Sequence, residues 1–192
     1  MQRPRRSRPI DPGRPPGGLL AAGHFYLRHH NQRMSADQHF QQQATALGYS
    51  FDGPIKVGGN YAPVVRDGAF VYVSGQIPRV GDEIVVVGAA GAEASIERAR
   101  LAAKICTMRA LALVGNAVGG LGHIVAVPRM TVFVRSAPSF TQQSEVADGA
   151  SDLLALVLGP IAVHARTSVG VLQLPKGATV EIDFIFKVDA GA

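Results

Sequence analysis

One cysteine among 192 residues leaves no internal disulfide, which excludes the stapled scaffolds of small secreted domains and fits a reducing cytoplasm. That residue, Cys106, falls in an Ala-rich helical stretch, where a small core residue is expected rather than a nucleophile. No secretory leader is legible: Leu19-Leu20-Ala21-Ala22 is the only apolar run of the first 33 residues and is too short for one. The prolines there would also break the amphipathic helix of a mitochondrial transit peptide. The most apolar window, Leu101 to Val118, is interrupted by Lys104 and Arg109 and reads as a core helix, so no membrane partner is expected. His39, His123 and His164 lack metal-ligand spacing with one another and with Cys106. Gly119-Gly120-Leu121-Gly122 lacks the strand-turn-helix setting of a dinucleotide site and reads as a helix cap and loop. No Ser-His-Asp triad can be assembled without arbitrary choices.

Acidic charge is nearly missing from the first 33 residues and balanced elsewhere. Seven arginines stand against Asp11 in residues 1–33, a net +6, whereas residues 34–192 carry 12 Lys and Arg against 13 Asp and Glu, a net −1. The basic character belongs to the leading segment, and nucleic acid is not an expected partner of the near-neutral remainder. Rich in Arg, Pro and Gly with no apolar period, residues 1–33 are expected to be disordered. They read as an upstream extension before a start at Met34, with a nucleic-acid or membrane arm as the alternative. Residues 34–192 suffice for one domain with a sizeable core.

From Met34 onward the punctuation is regular. Ser35 and Gln38 form a capping-box pattern, and Phe40, Ala44 and Leu47 make an apolar stripe ending at Gly48, a short amphipathic helix. After a Gly-rich connection, Ala69 to Ser74 reads as a strand buried on both faces, with Glu83 to Val87 as its hairpin partner. A long helix is expected from about Ala92 to Asn116, with Glu93, Glu97, Arg100 and Lys104 solvated and Ala99, Ala102, Cys106, Ala110 and Leu113 inward. Arg98 and Arg109 lie on one line, either snorkelling at the helix edge or lining a subunit contact. A Val-rich strand follows from Ile124 to Arg135, with Pro128 marking a bulge, an edge or a start. A second helix is expected behind Ser139 and Gln142, with Val146, Ala150, Leu153 and Val157 inward and Gly159-Pro160 as its stop. Two strands joined by Pro175-Lys176-Gly177 complete a β-β-α-β-α-β-β order after the leading helix, an α+β fold with the helices on one face of a mixed sheet.

The last two strands carry a chemical pattern: one arginine, Arg166, and one acid, Glu181, among few other ionisable groups. An arginine fork grips a planar carboxylate through parallel charged bonds, and a glutamate nearby can handle a proton or a water. Alternation puts Val180, Ile182, Phe184, Phe186 and Val188 toward the helices and Glu181 away from them. Placing Val169 and Val171 on the apolar side sends Arg166 and Ser168 to the face of Glu181. A simple hairpin would leave Glu181 about 13 Å along the strand from the partner of Arg166, so a bulge or a second subunit must close the gap. The outer face is either washed by solvent or, since Phe133 and Ile185 fall on it, covered by another chain.

Ser74-Gly75-Gln76-Ile77-Pro78 after a strand, Ala165-Arg166-Thr167-Ser168-Val169, Leu174-Pro175 and Val180-Glu181-Ile182 together resemble the Rid family of reactive intermediate deaminases, also called YjgF or L-PSP-like proteins. The extra leading helix, Gly59-Asn60-Tyr61-Ala62-Pro63 and Gly149-Ala150-Ser151-Asp152 resemble a longer subgroup of it. The resemblance implies a chorismate-mutase-like sheet of about six strands with two main helices on one face. It also implies a homotrimer with ligand clefts between subunits, no metal or organic cofactor, and hydrolysis of amino-acid imines or enamines to a keto acid and ammonia. Arg166 matches the arginine that grips the substrate carboxylate and Glu181 the acid that activates water. Tyr61, Ser74 and Gly75 match pocket residues. Ser168 stands where archetypal members carry a cysteine, which excludes a thiol there, and Gly170 where they can carry a glutamate. Alternatives of other classes are a non-enzymatic trimer that senses a small carboxylate metabolite and an L-PSP-type endoribonuclease.

Overall fold

The computed structural model describes residues 34–55 and 58–192, so the expectations for residues 1–33 lie outside the described residues. Helix α1, Ala36–Leu47, begins with the complete Ser35/Gln38 capping box and stops at Gly48 in the left-handed region, φ 74°. Strand β1, Val64–Asp67, pairs antiparallel with β2, Phe70–Gln76, across the Gly68 turn. Two short strands, β3 (Arg79–Val80) and β4 (Glu83–Ile84), form a separate ribbon. The predicted hairpin between β2 and residues 83–87 is therefore replaced by two local ones, because each run found a nearer partner across its own glycine turn. Strand β2 is also buried on one face only: Val71 and Val73 are covered, while Phe70 and Tyr72 stay 40% and 43% exposed.

Helix α2, Ile96–Val118, is capped by Ser95 and ends at Gly119, φ 83°. Glu93 lies before it, accepting the Ala89 N–H at 2.7 Å, so the helix starts later than the charge stripe suggested. Ala99, Ala102, Cys106, Ala110 and Leu113 are buried as the periodicity required. The helix is long and apolar enough to cross a membrane, but 67% of that window is buried inside the protein, as a core helix should be. Strand β5, Ile124–Arg135, has register irregularities between Ile124 and Arg129, where Pro128 removes a ladder donor. Helix α3, Gln143–Leu158, opens on Gln142 without a side-chain cap. The Ser139/Gln142 box does not form; Gln143 instead folds back to the Phe140 carbonyl at 2.8 Å and to Ser136 Oγ. Where α3 crosses α2, a Cβ on Gly149 would stand 2.6 Å from the Arg100 carbonyl oxygen, so only glycine allows that approach.

Strand β6, Ala165–Val171, and strand β7, Val180–Val188, complete the sheet. Its order is β1-β2-β7-β5-β6, five strands where about six were expected, beside the two-stranded ribbon, and the three α-helices among the described residues keep the expected α+β pattern. Strand β6 pairs parallel with β5 at the edge, and β7 lies between β2 and β5, antiparallel to both. The expected β6–β7 hairpin is thus a crossover with β5 between the two strands, so turn arithmetic does not apply. In β7 alternation holds: Val180, Ile182, Phe184, Phe186 and Val188 are buried toward the helices.

Candidate active site

The site grows from a bulge in β2. Val73 pairs with Phe184 and Gln76 with Ile182, so β2 spends three steps where β7 spends two, and the extra residue lies at Ser74-Gly75. The bulge re-aims Ser74 and brings the Gly75 backbone against Glu181. A Cβ on Gly75 would overlap Glu181 Oε1 and fall 2.8 Å from its Cδ, so the glycine is the space that the carboxylate occupies. Glu181 and Gly75 then share a cavity of about 320 Å³ with Tyr61, Ser74, Arg79, Arg109 and the Pro175-Lys176 turn.

Hydrogen bonds fix the walls. Ser74 donates through its backbone N–H to the Pro63 carbonyl at 3.0 Å. Gln76 donates to the Ser74 carbonyl at 3.0 Å and accepts from Arg109 Nε at 3.3 Å. Arg109 Nη1 donates to the Arg79 carbonyl at 2.9 Å, which fastens helix α2 to the ribbon. Thr179 donates to the Gly88 carbonyl at 2.8 Å and so anchors the start of β7 beside the Pro175-Lys176 turn. Lys176 takes φ 57° in that turn, a left-handed conformation unusual for a lysine.

Burial sets the electrostatics. It raises the Glu181 carboxyl above its ordinary value, and the neighbouring Asp183 carboxylate pushes it the same way. Burial likewise lowers Arg109 from the usual guanidinium value, although an arginine stays charged. It lifts the Cys106 thiol far above its normal range, so the thiol stays protonated. Among the described residues no group of three or more His, Cys, Asp and Glu side chains gathers as a metal would require.

Arg166 and Ser168 lie elsewhere. They pair in register with Met130 and Val132, whose side chains are buried under the helices, so both point to the helix face and not to the face of Glu181. Arg166 Nη1 lies 2.8 Å from Asp148 Oδ1 and 2.9 Å from Ser151 Oγ, and Nη2 donates to the Ser144 carbonyl at 3.3 Å. Ser168 Oγ is 3.4 Å from Ser144 Oγ. His164 sets its Nε2 3.0 Å from Ser151 Oγ and its Nδ1 against the Ala162 carbonyl at 2.6 Å. The expected convergence on one face fails because β6 is an edge strand facing a polar stripe of α3, namely Ser144, Asp148 and Ser151 at i, i+4 and i+7. Its valines take the outer side instead, where Val169 is 40% exposed. With β5 between them and three residues of offset, Arg166 and Glu181 of one copy are about 14 Å apart on opposite faces.

The sequence pattern missed Arg79 and Arg109 as site residues. Arg109, taken as an edge or interface residue, is 6% exposed and lines the cavity. The available signal was a charge inside an otherwise buried helical stripe, one turn after Cys106.

Comparison with known proteins agrees with this architecture. The endoribonuclease L-PSP family model matches residues 53–188. Protein TCP17 of Trypanosoma cruzi is 40% identical over 131 residues, covering 68% of this chain and 82% of that protein. The crystal structure of protein Atu1372 of Agrobacterium tumefaciens, of unknown function, superposes with TM-score 0.72 at 38% identity, over 80% of this chain and 94% of that one. Escherichia coli TdcF, solved with bound serine, shares the fold with TM-score 0.53 at 23% identity, over 73% of this chain and 96% of that one. This chain therefore belongs to the endoribonuclease L-PSP family, the YjgF/RidA group.

Proposed function

We propose that this protein hydrolyses imine and enamine intermediates of amino acids to a keto acid and ammonia, with Glu181 as the proton-handling group. The observation that carries the reading is the half-buried Glu181 carboxylate seated against Gly75 in the cavity, with its proton affinity raised by burial. A carboxylate so placed is a stronger base than a solvated one. Glu181 accepts a proton from water as the water oxygen attacks the imine carbon and the C=N π pair moves to nitrogen. That proton returns to nitrogen to give a carbinolamine; Glu181 then takes the hydroxyl proton and passes it to the amino nitrogen as the carbonyl forms, the C–N bond breaks and ammonia departs. Tyr61, Ser74 and Gly75 shape the pocket around the reacting carbon.

Arg166 grips the substrate carboxylate in this reading and must come from a neighbouring copy, because one chain keeps it on the far face of the sheet. The apolar side chains on the outer face, with Val65 53%, Phe70 40% and Tyr72 43% exposed, support assembly, and a homotrimer with clefts between subunits is the proposed state. TdcF was solved with bound serine, which supports a small amino-acid-derived ligand for this fold. A ribonuclease role has less support, since residues 34–192 carry net −1. A binding-only sensor is favoured by one observation, the engagement of Arg166 by Asp148. Ammonia release from an imine generated in situ separates the two. Acceleration by the wild type that is weakened in Arg166→Ala through a higher KM supports the enzyme. Unchanged imine decay, with a small acid still bound and lost in Arg166→Ala, supports the sensor.

A further inference from the structure

We propose that the partners of Arg166 divide two tasks: Ser151, aimed by His164, is a positioning contact that stays, and Asp148 is a place-holder that a ligand carboxylate displaces. Asp148 thereby sets how tightly the site takes its acid. The inference rests on the proposed function for Arg166 as the carboxylate grip and adds to it the residues that govern that grip. Asp148 and Ser151 stand at i and i+3 on α3, so they share one face of the helix. His164 and Arg166 stand at i and i+2 where the chain enters β6, so they share one face of the strand. The two faces meet, and hydrogen bonds join all four side chains.

The chemistry of the donors fixes the direction of each bond. A backbone carbonyl only accepts, so His164 Nδ1, 2.6 Å from the Ala162 carbonyl, carries the proton, and Nε2 of the neutral ring is an acceptor. Ser151 therefore donates its hydroxyl to Nε2 at 3.0 Å. A helical serine otherwise turns that hydroxyl back to the carbonyl four residues before it, here Ala147, which lies farther off at 3.5 Å. With its proton committed to His164, Ser151 Oγ offers its lone pairs to Arg166 Nη1 at 2.9 Å. Asp148 is a different kind of partner. It meets Arg166 through Oδ1 at 2.8 Å, and its side chain is 46% exposed against 22% for Arg166. An ion pair so open to solvent is weak, and a free carboxylate can take two parallel N–H donors where Asp148 takes one. Asp148 can swing into solvent while Ser151 and the Ser144 carbonyl keep the guanidinium in place.

Calorimetry on the full chain with 2-oxobutyrate, a monocarboxylate probe, tests the division by the opposite signs of two effects. Asp148→Asn removes the competing charge and should tighten binding about threefold. His164→Phe leaves the Ser151 hydroxyl without its acceptor and should weaken binding about twofold. His164→Gln can set a carbonyl oxygen where Nε2 stands and should restore the wild-type affinity. In imine turnover the His164→Phe change should fall on KM and not on kcat, as expected of a residue that acts through the grip. Weaker or unchanged binding in Asp148→Asn, no binding by the wild type, His164→Gln no better than His164→Phe, or a loss confined to kcat would overturn the assignment. The expected calorimetric pattern without any imine hydrolysis would sink the proposed reaction and leave the division of tasks standing. Imine hydrolysis with the opposite calorimetric pattern would do the reverse.

Discussion

Two regions of one sheet handle polar residues in opposite ways. At the β2–β7 junction a bulge and a glycine make room for a carboxylate with no ion pair among the described residues, so Glu181 sits partly dry with its pKa raised. At the β5–β6 edge a polar helix stripe meets the strand, and Arg166 is fully supplied with an acid, a hydroxyl and a carbonyl. The first region stores reactivity and the second stores position. In the proposed reaction the proton-transfer group gains from unsatisfied surroundings, whereas the clamp gains from a fixed orientation and would exchange Asp148 for its ligand.

The sharpest way to break the contrast is to remove the space at the bulge. Gly75→Ala should displace the Glu181 carboxylate and lower ammonia release about hundredfold, the cost expected for a misplaced catalytic base. Near-normal turnover would show that the carboxylate need not lie there. At the other end, Arg166→Ala should raise KM for the imine about tenfold and lower Tm by about 2–4 °C, the equivalent of about 1 kcal/mol for a chain of this size. A change in kcat alone would assign Arg166 to the chemistry and not to grip.

Stability against pH sharpens the comparison further. Burial raises Glu181 from an ordinary 4.5, so the folded protein holds that proton more tightly than the unfolded chain does. In the window between the ordinary and the raised value, stability therefore falls as pH rises. Glu181→Gln should melt higher than wild type at pH 7, and the two curves should converge below about pH 4 as both chains carry a neutral group there. A Glu181→Gln protein that melts lower at pH 7 would mean that the carboxylate is satisfied in a way the cavity does not reveal. Ser151→Ala removes one acceptor from Arg166 while Asp148 and the Ser144 carbonyl remain, so KM should rise about twofold. A tenfold rise would make Ser151 a principal positioning residue for the clamp.

Much of this was legible because it depends on local rules. The capping box of α1, the buried stripes of α2 and α3 and the alternation of β7 follow from nearest neighbours and the helix and strand periods. The pairing partners were not legible. Strand β6 belongs to β5, and an edge strand with moderate burial on both sides carries too weak an alternation to fix its parity. Reading α3 and β6 together would have helped, since Ser144, Asp148 and Ser151 form a polar stripe that only polar strand residues can meet. The site was half visible: Tyr61, Ser74, Gly75 and Glu181 do line one cavity, while Arg79 carried no pattern and Arg109 read as a helix-edge or subunit-contact residue. Their approach depends on the ribbon folding back over α2, a long-range contact with no local sequence period.

In the proposed reaction Glu181, half-buried and pressed against Gly75, handles the proton of the attacking water. Ammonia release from an in situ amino-acid imine, followed from pH 4 to 8 for wild type and Glu181→Gln, tests it most directly. The wild-type rate should rise through an acid limb displaced above the ordinary carboxyl value of 4.5, and the Glu181→Gln rate should be lower by about hundredfold or more with that limb gone. A Glu181→Gln protein that keeps both the rate and the limb would contradict it.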